Sequence, residues 1–176
     1  MYRAILFGAA LTVAGLGAVP AMAQDETPPP PCSTEEYRQL DFWVGEWDAM
    51  WVDADGTEQH GHNSITLDLG NCVVLENFNG NPGNTLLGRS MSMYAARHGA
   101  WKQVWMDNQG SYLPFTGGPE GERFILTMDR ASDEAPYLRM VWENITPEGF
   151  DWRWQASQDA GETWADQWHI HYTRAE

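Results

Sequence analysis

Along most of the chain, apolar and polar residues alternate in short runs separated by turn-forming residues. Trp43, Gly45, Trp47, Ala49 and Trp51 fall on one side of a first run, and Glu46 and Asp48 fall on the other. Near the C-terminus, Phe150, Trp152 and Trp154 oppose Asp151, Arg153 and Gln155. In the last run Trp164, Trp168, Ile170, Tyr172 and Arg174 oppose Gln167, His169, His171 and Thr173. A period of two marks half-buried strands. Turn sequences such as Asp53-Ala54-Asp55-Gly56, Asn79-Gly80-Asn81-Pro82-Gly83, Asp107-Asn108-Gln109-Gly110 and Thr146-Pro147-Glu148-Gly149 delimit the runs. The runs number about ten, at roughly 7–12 residues each. Short connections pair sequence neighbours, so the pattern predicts an all-β fold, a single antiparallel meander β-barrel of about ten strands. One helix is expected ahead of it. Ser33-Thr34-Glu35-Glu36 reads as a capping box with Ser33 as N-cap, opening a short N-terminal helix through about Leu40.

Closing such a barrel places the first strand beside the last. The alternation puts Trp47 and Arg174 on the same inner face, so the guanidinium is expected to stack on the indole. Gly45, Trp47 and Arg174 are therefore read as a structural clasp at one closed end. Any binding function is expected at the opposite, open end.

Composition changes where this fold is expected to work. Arg3, the uncharged apolar run Ala4 to Val19 and Pro20-Ala21-Met22-Ala23 form the pattern of a cleaved export signal over residues 1–23. An uncleaved anchor is the competing reading. Residues 24–32 form a proline-rich linker, and 33–176 form the barrel domain. About 150 residues suit one domain with one core. The net charge of −15 repels phosphate backbones and anionic lipid, which argues against nucleic acid and peripheral membrane partners. No later apolar run is long enough for membrane insertion after signal cleavage. In an exported chain, Cys32 and Cys72 are most simply read as one disulfide. A thiol or metal role lacks the usual Cys-x-x-Cys spacing.

The stretch Phe42-Trp43-Val44-Gly45-Glu46-Trp47 after a short helix, the meander and the terminal Arg174 resemble the calycin (lipocalin-like) superfamily. More closely, the chain resembles a bacterial exported calycin-like family of unknown function. Gly88-Arg89-Ser90-Met91-Ser92-Met93-Tyr94, Trp101 to Asn108 and Ser157 to Trp164 add to that likeness, which covers about Gln39 to Arg174. The resemblance implies a barrel and brings no established activity. Ser157-x-Asp159-x-Gly161-x-Thr163-Trp164 also resembles the Asp-box of sialidase-type propellers. It occurs once here, and it is read as a hairpin brace.

No nucleophile elbow, phosphate loop or zinc-protease helix is present, so no catalytic residue is assigned and no enzyme is argued. The histidines pair as His60-Gly61-His62 and His169-Ile170-His171. Alternation turns both pairs outward, and the two strands lie roughly 10 Å apart across the first strand at ~4.8 Å per step. No metal site follows. The closing His169-Ile170-His171 does resemble nitrobindin-like barrels, which implies haem as an alternative cofactor with His169 or His171 as ligand. A bulge would have to turn one of them inward, and a Met-rich, Trp-rich interior is taken as support.

The leading expectation is a non-enzymatic protein that binds a small lipophilic or aromatic molecule inside the barrel, with no cofactor. Trp43, Trp51, Trp101, Trp105, Trp152 and Trp154 are the expected wall contacts. Ser92, Gln103 and Arg139 are the expected polar anchors. The opposing expectation is that ten tryptophans simply fill the barrel, leaving an interaction module with an acidic outer face.

Overall fold

The alternating runs become ten strands in a computed structural model that describes residues 29–175. They are β1 (Gly45–Val52), β2 (Glu58–Asp68), β3 (Val73–Asn79), β4 (Leu87–Ala95) and β5 (Ala100–Asp107). The others are β6 (Tyr112–Glu120), β7 (Arg123–Met128), β8 (Tyr137–Glu143), β9 (Gly149–Ser157) and β10 (Ala165–Arg174). Each pairs antiparallel with its sequence neighbours, and β1 pairs with β10 to close the barrel. The expected meander is present. The export-signal residues 1–23 and most of the linker lie outside the described residues.

Register decides what faces inward. Trp47 is the direct partner of Arg174 and Ala49 of Tyr172. On the other side of β1, Gly45 pairs with Ile65 and Trp47 with Asn63. The inner stripe then runs through Glu76 and Phe78 on β3, Ser90 and Ser92 on β4, and Trp101, Gln103 and Trp105 on β5. Because the chain reverses at every turn, all ten strands place such a stripe in one lumen.

The N-terminal segment departs from expectation in detail. The helix α1 is only Glu35–Arg38, followed by a 3₁₀ turn at Asp41–Trp43. Thr34 stands at the N-cap without a side-chain capping bond, while Ser33 Oγ donates to Pro30 O at 2.7 Å. Thr34 Oγ1 takes up the Glu36 carboxylate at 2.6 Å, so the expected Ser33–Glu36 box does not form. The 3₁₀ turn inserts Trp43 and, just before it, Leu40 into the lumen, where they are 1% and 0% exposed. The lead-in is tied down by a Cys32–Cys72 disulfide, which reaches the β2–β3 turn at the same end. Such a bond belongs to an oxidising compartment. Among the described residues no helix is long and apolar enough to cross a membrane.

Candidate functional site

The two ends of the barrel are packed differently. At the end where β1 starts and β10 finishes, aromatic rings meet edge to face across the lumen. Trp43 meets Trp142 at 5.2 Å, Trp47 meets Phe150 at 4.8 Å and Trp101 meets Phe124 at 5.7 Å between centroids. Arg174 caps this end with its guanidinium carbon 4.0 Å from the Trp47 ring centre. Edge-to-face pairs gain from ring quadrupoles, and here the buried Leu40 and Trp43 fill the lumen between them, so this end is closed.

Toward the other end a cavity of about 180 Å³ remains. Trp105, Trp142, Trp152, Trp154 and Trp168 line it together with Phe78 and Phe115. Leu86, Leu113, Met140 and Ile170 supply the aliphatic wall. Its volume is comparable to engineered apolar cavities of about 150 Å³ that take up benzene. One lining indole, Trp105, lies against backbone that has no side chain, and so does Trp51 beside the cavity. A Cβ on Gly88 would come within 1.9 Å of the Trp105 ring, and one on Gly83 within 2.6 Å of Trp51.

Among the described residues, three ionisable ones, Glu76, Asp107 and Tyr172, line this cavity, and none is basic. Glu76 stands between Val74 and Phe78 on the inner stripe of β3. Its Oε1 accepts from Asn63 Nδ2 at 2.8 Å and its Oε2 from Ser90 Oγ at 2.7 Å. Burial pushes its carboxyl up to about 7, against the lowering effect of the Ser90 and Asn63 bonds and the Arg89 charge. Tyr172 stacks on Phe150 at 4.8 Å, and its phenol is raised by burial and by the Glu76 charge. Asp107 occupies the far end of β5. Burial opposes its charge, yet hydrogen bonds from Trp105 Nε1 and from the Ser111 and Gln109 amides hold its carboxyl below the usual value. The cavity thus has an apolar aromatic wall, an enclosed carboxyl and an ionised carboxylate at one end.

The residues expected from sequence are not all brought together. Trp105, Trp152 and Trp154 line the cavity. Trp51 lies beside it, edge-on to Trp168 at 5.3 Å. Trp43 and Trp101 belong to the closed end, and Trp101 Nε1 donates to Gln39 Oε1 at 3.0 Å. Ser92 and Gln103 face inward and bond each other at 2.8 Å, but they do not line the cavity.

Arg139 is a correction. It lies between Met140 and Leu138 and pairs with Thr127 and Gln155, on the face opposite the cavity-lining Met140 and Trp142. Outside, it donates to Gln155 Oε1 at 2.7 Å and stacks over Trp164 at 4.2 Å. Arg139 shares its strand face with Tyr137 and Val141, apolar company that reads as an inner face in the sequence, yet Val141 points outward although it is 1% exposed.

His169 and His171 also point outward. Each contacts Asp151 Oδ1, at 3.1 and 3.0 Å. The β10 bulge falls between Asp166 and Trp168, upstream of both, and turns neither inward. None of the chain's five histidines lines the cavity. The Met-rich interior is likewise corrected, since Met91, Met93 and Met106 are exposed at 46%, 44% and 41%.

The Asp-box-like turn is a brace. Asp159 accepts from Ser157 Oγ, from the Thr163 amide and from Thr163 Oγ1, and these hold its carboxyl down at about 2.

The residue that alternation should have found is Glu76, a carboxylate alone on an apolar stripe. The signal was present in Val74-x-Glu76-x-Phe78 and lost among many acidic residues. The closed ten-stranded barrel is consistent with the calycin-like resemblance. No protein-family model matches the chain, and no curated protein matches it in sequence.

Proposed function

We propose that the protein is an exported, non-enzymatic member of the calycin-like barrels that binds a small apolar or aromatic ligand in its lumen. The observation that carries this reading is the cavity of about 180 Å³ walled by five indoles and closed at one end. Small-ligand sites combine an apolar wall with a few polar groups that fix orientation, and Glu76 and Tyr172 are those groups here. The volume favours a single-ring ligand over a long-chain lipid. The reading requires no cofactor and no catalytic residue. The Cys32–Cys72 bond supports export, because disulfides persist outside the reducing cytoplasm.

Intrinsic tryptophan fluorescence tests the binding directly, since five of the ten tryptophans line the cavity. Saturable changes are expected with one-ring aromatic compounds. Leu113→Trp should abolish them by filling the space while leaving the fold intact. A flat response across aromatic and short aliphatic panels would retire the reading in favour of a filled interaction module.

A further inference from the structure

The aromatic cavity described above ends on a carboxyl group, and this combination selects among small ligands. Glu76 is enclosed by β2, β3, β4 and β10, which contribute Asn63, the Glu76 backbone, Ser90 and Tyr172. Each carboxyl oxygen accepts one protein hydrogen bond, from Asn63 Nδ2 and Ser90 Oγ. A carboxylate has about four lone-pair sites, so further acceptor capacity remains. Among the described residues, no lysine, arginine or histidine lines the cavity to neutralise it. The charge of Arg89 acts on it, but that guanidinium lies on the outer side of β4, bonded to the Gly88 and Phe78 carbonyls.

We infer that the ligand is a small organic cation, an aromatic or short alkyl ammonium whose charged nitrogen pairs with Glu76 while its carbon frame lies against the indoles. The inference rests on the reading of the lumen as a ligand site. Four observations converge on it. An enclosed ionised carboxylate is costly unless it is paired, and a ligand ammonium supplies both the charge and the missing donors. Indole faces carry negative quadrupole density, which attracts a desolvated cation and does not attract an anion. Asp107 is held ionised at the other end of the same cavity and adds attraction for the same sign. The whole chain carries a net charge of −15, so its field draws cations toward the protein and repels acids.

The chemistry is association only, and no bond is made or broken. When Glu76 is protonated it loses its charge and donates a hydrogen bond. A neutral carbonyl or ether compound would then satisfy it as well as an amine, and this is the competing outcome.

The test is a fluorescence titration at pH 8 with three compounds of nearly equal size: benzylammonium, benzyl alcohol and toluene. A charge-assisted bond contributes more than a neutral one, so benzylammonium should bind at least about tenfold more tightly than either neutral compound. Glu76→Gln should bring the benzylammonium and benzyl alcohol affinities within about threefold of each other, because the amide keeps the shape but not the charge. Near-ultraviolet circular dichroism of the variant should match the wild-type aromatic signal, showing that it is folded. Equal or weaker binding of benzylammonium by the wild-type protein overturns the inference while toluene binding leaves the cavity reading standing. Failure of all three to bind overturns both. A preference that survives in folded Glu76→Gln also overturns the inference, because the selecting charge then lies elsewhere.

Discussion

Removing Arg174 should open the barrel at its closing seam. The guanidinium lies 4.0 Å above the Trp47 ring centre. Its Nε donates to Pro147 O at 3.0 Å, and its Nη1 donates to Val44 O at 3.3 Å. The indole beneath is 0% exposed, and its Nε1 donates to Trp43 O at 2.7 Å. A cation–π contact on the exposed side of a protein contributes about 0.5–1 kcal/mol. Each carbonyl bond adds up to ~1 kcal/mol, reduced where water can replace the donor. Arg174→Ala should therefore cost about 2 kcal/mol, or a fall in Tm of about 4–8 °C for a domain of this size. Arg174→Lys should recover less than half of that, since an ammonium neither stacks flat nor forks between two carbonyls. Gly45 supplies an internal check. Its φ is +142°, and a Cβ there would lie 2.1 Å from Arg174 Nη1. Gly45→Ala should thus be strongly destabilising in the wild type and less so in Arg174→Ala, where only the backbone strain remains. Urea unfolding followed by tryptophan fluorescence measures all five proteins. Additive Gly45 and Arg174 effects, or an Arg174→Ala protein within about 0.5 kcal/mol of wild type at unchanged m-value, would refute the clasp.

Glu76 should make the protein less stable as pH rises. Its carboxyl is raised from 4.5 to about 7, so the stabilising contribution of its protonated form is complete below pH 4.5 and is lost as pH climbs through about 7, a change of about 3 kcal/mol. Asp151 acts in the opposite sense. Burial would raise it, but bonds from Asn144, His171 and His169 outweigh that and bring it to about 2, so its contribution is lost as pH falls from 3.8 toward 2. Urea midpoints at pH 5 and 8 should differ in the wild type and converge in Glu76→Gln, and equal slopes in both proteins would refute this. The Cys32–Cys72 bond closes a separation of 40 residues, so its loss in a Cys32→Ala, Cys72→Ala double variant should cost up to about 4 kcal/mol, measured by calorimetry. Gly88→Ala should push the Trp105 indole away from β4 and break its 2.9 Å bond to Asp107, giving a folded protein with weakened ligand response by fluorescence titration.

The fold was legible because a meander needs only two signals, period-2 alternation and turn residues, and both are local. Long-range closure followed from the same alternation, which is why Trp47 and Arg174 emerge as register partners. The lumen was less legible. Alternation identifies the inward face but not the height along the barrel axis, so Trp43 and Trp101 could not be distinguished from Trp105 and Trp152. Arg139 failed for a different reason. Val141 is buried although it points outward, where the alternation gave it to the inner face, so an inward pattern was read one residue out of phase. Glu76 was missed because a carboxylate in so acidic a chain carries little information until its neighbours Val74 and Phe78 are known to face inward.

What separates the filled end of this barrel from the end with a cavity is the N-terminal lead-in, which inserts Leu40 and Trp43 into the lumen at the closed end. At the closed end the large rings face other large rings, as with Trp43 against Trp142 and Trp47 against Phe150, and they interlock across the lumen. At the open end Trp105 lies over Gly88, and Trp51 lies against Gly61 and Gly83. An indole that can sink onto bare backbone covers the wall and leaves the axis free. Ten tryptophans therefore do not by their number determine whether a lumen is open, since Trp152, Trp154 and Trp168 meet other rings edge to face and still line the cavity. Glu76 and Asp107 line the cavity together with the indoles and present acceptor groups to whatever enters. Shape at the open end comes from the aromatic wall and charge from the carboxyl groups set among it, and the net charge of −15 extends that acidity outward.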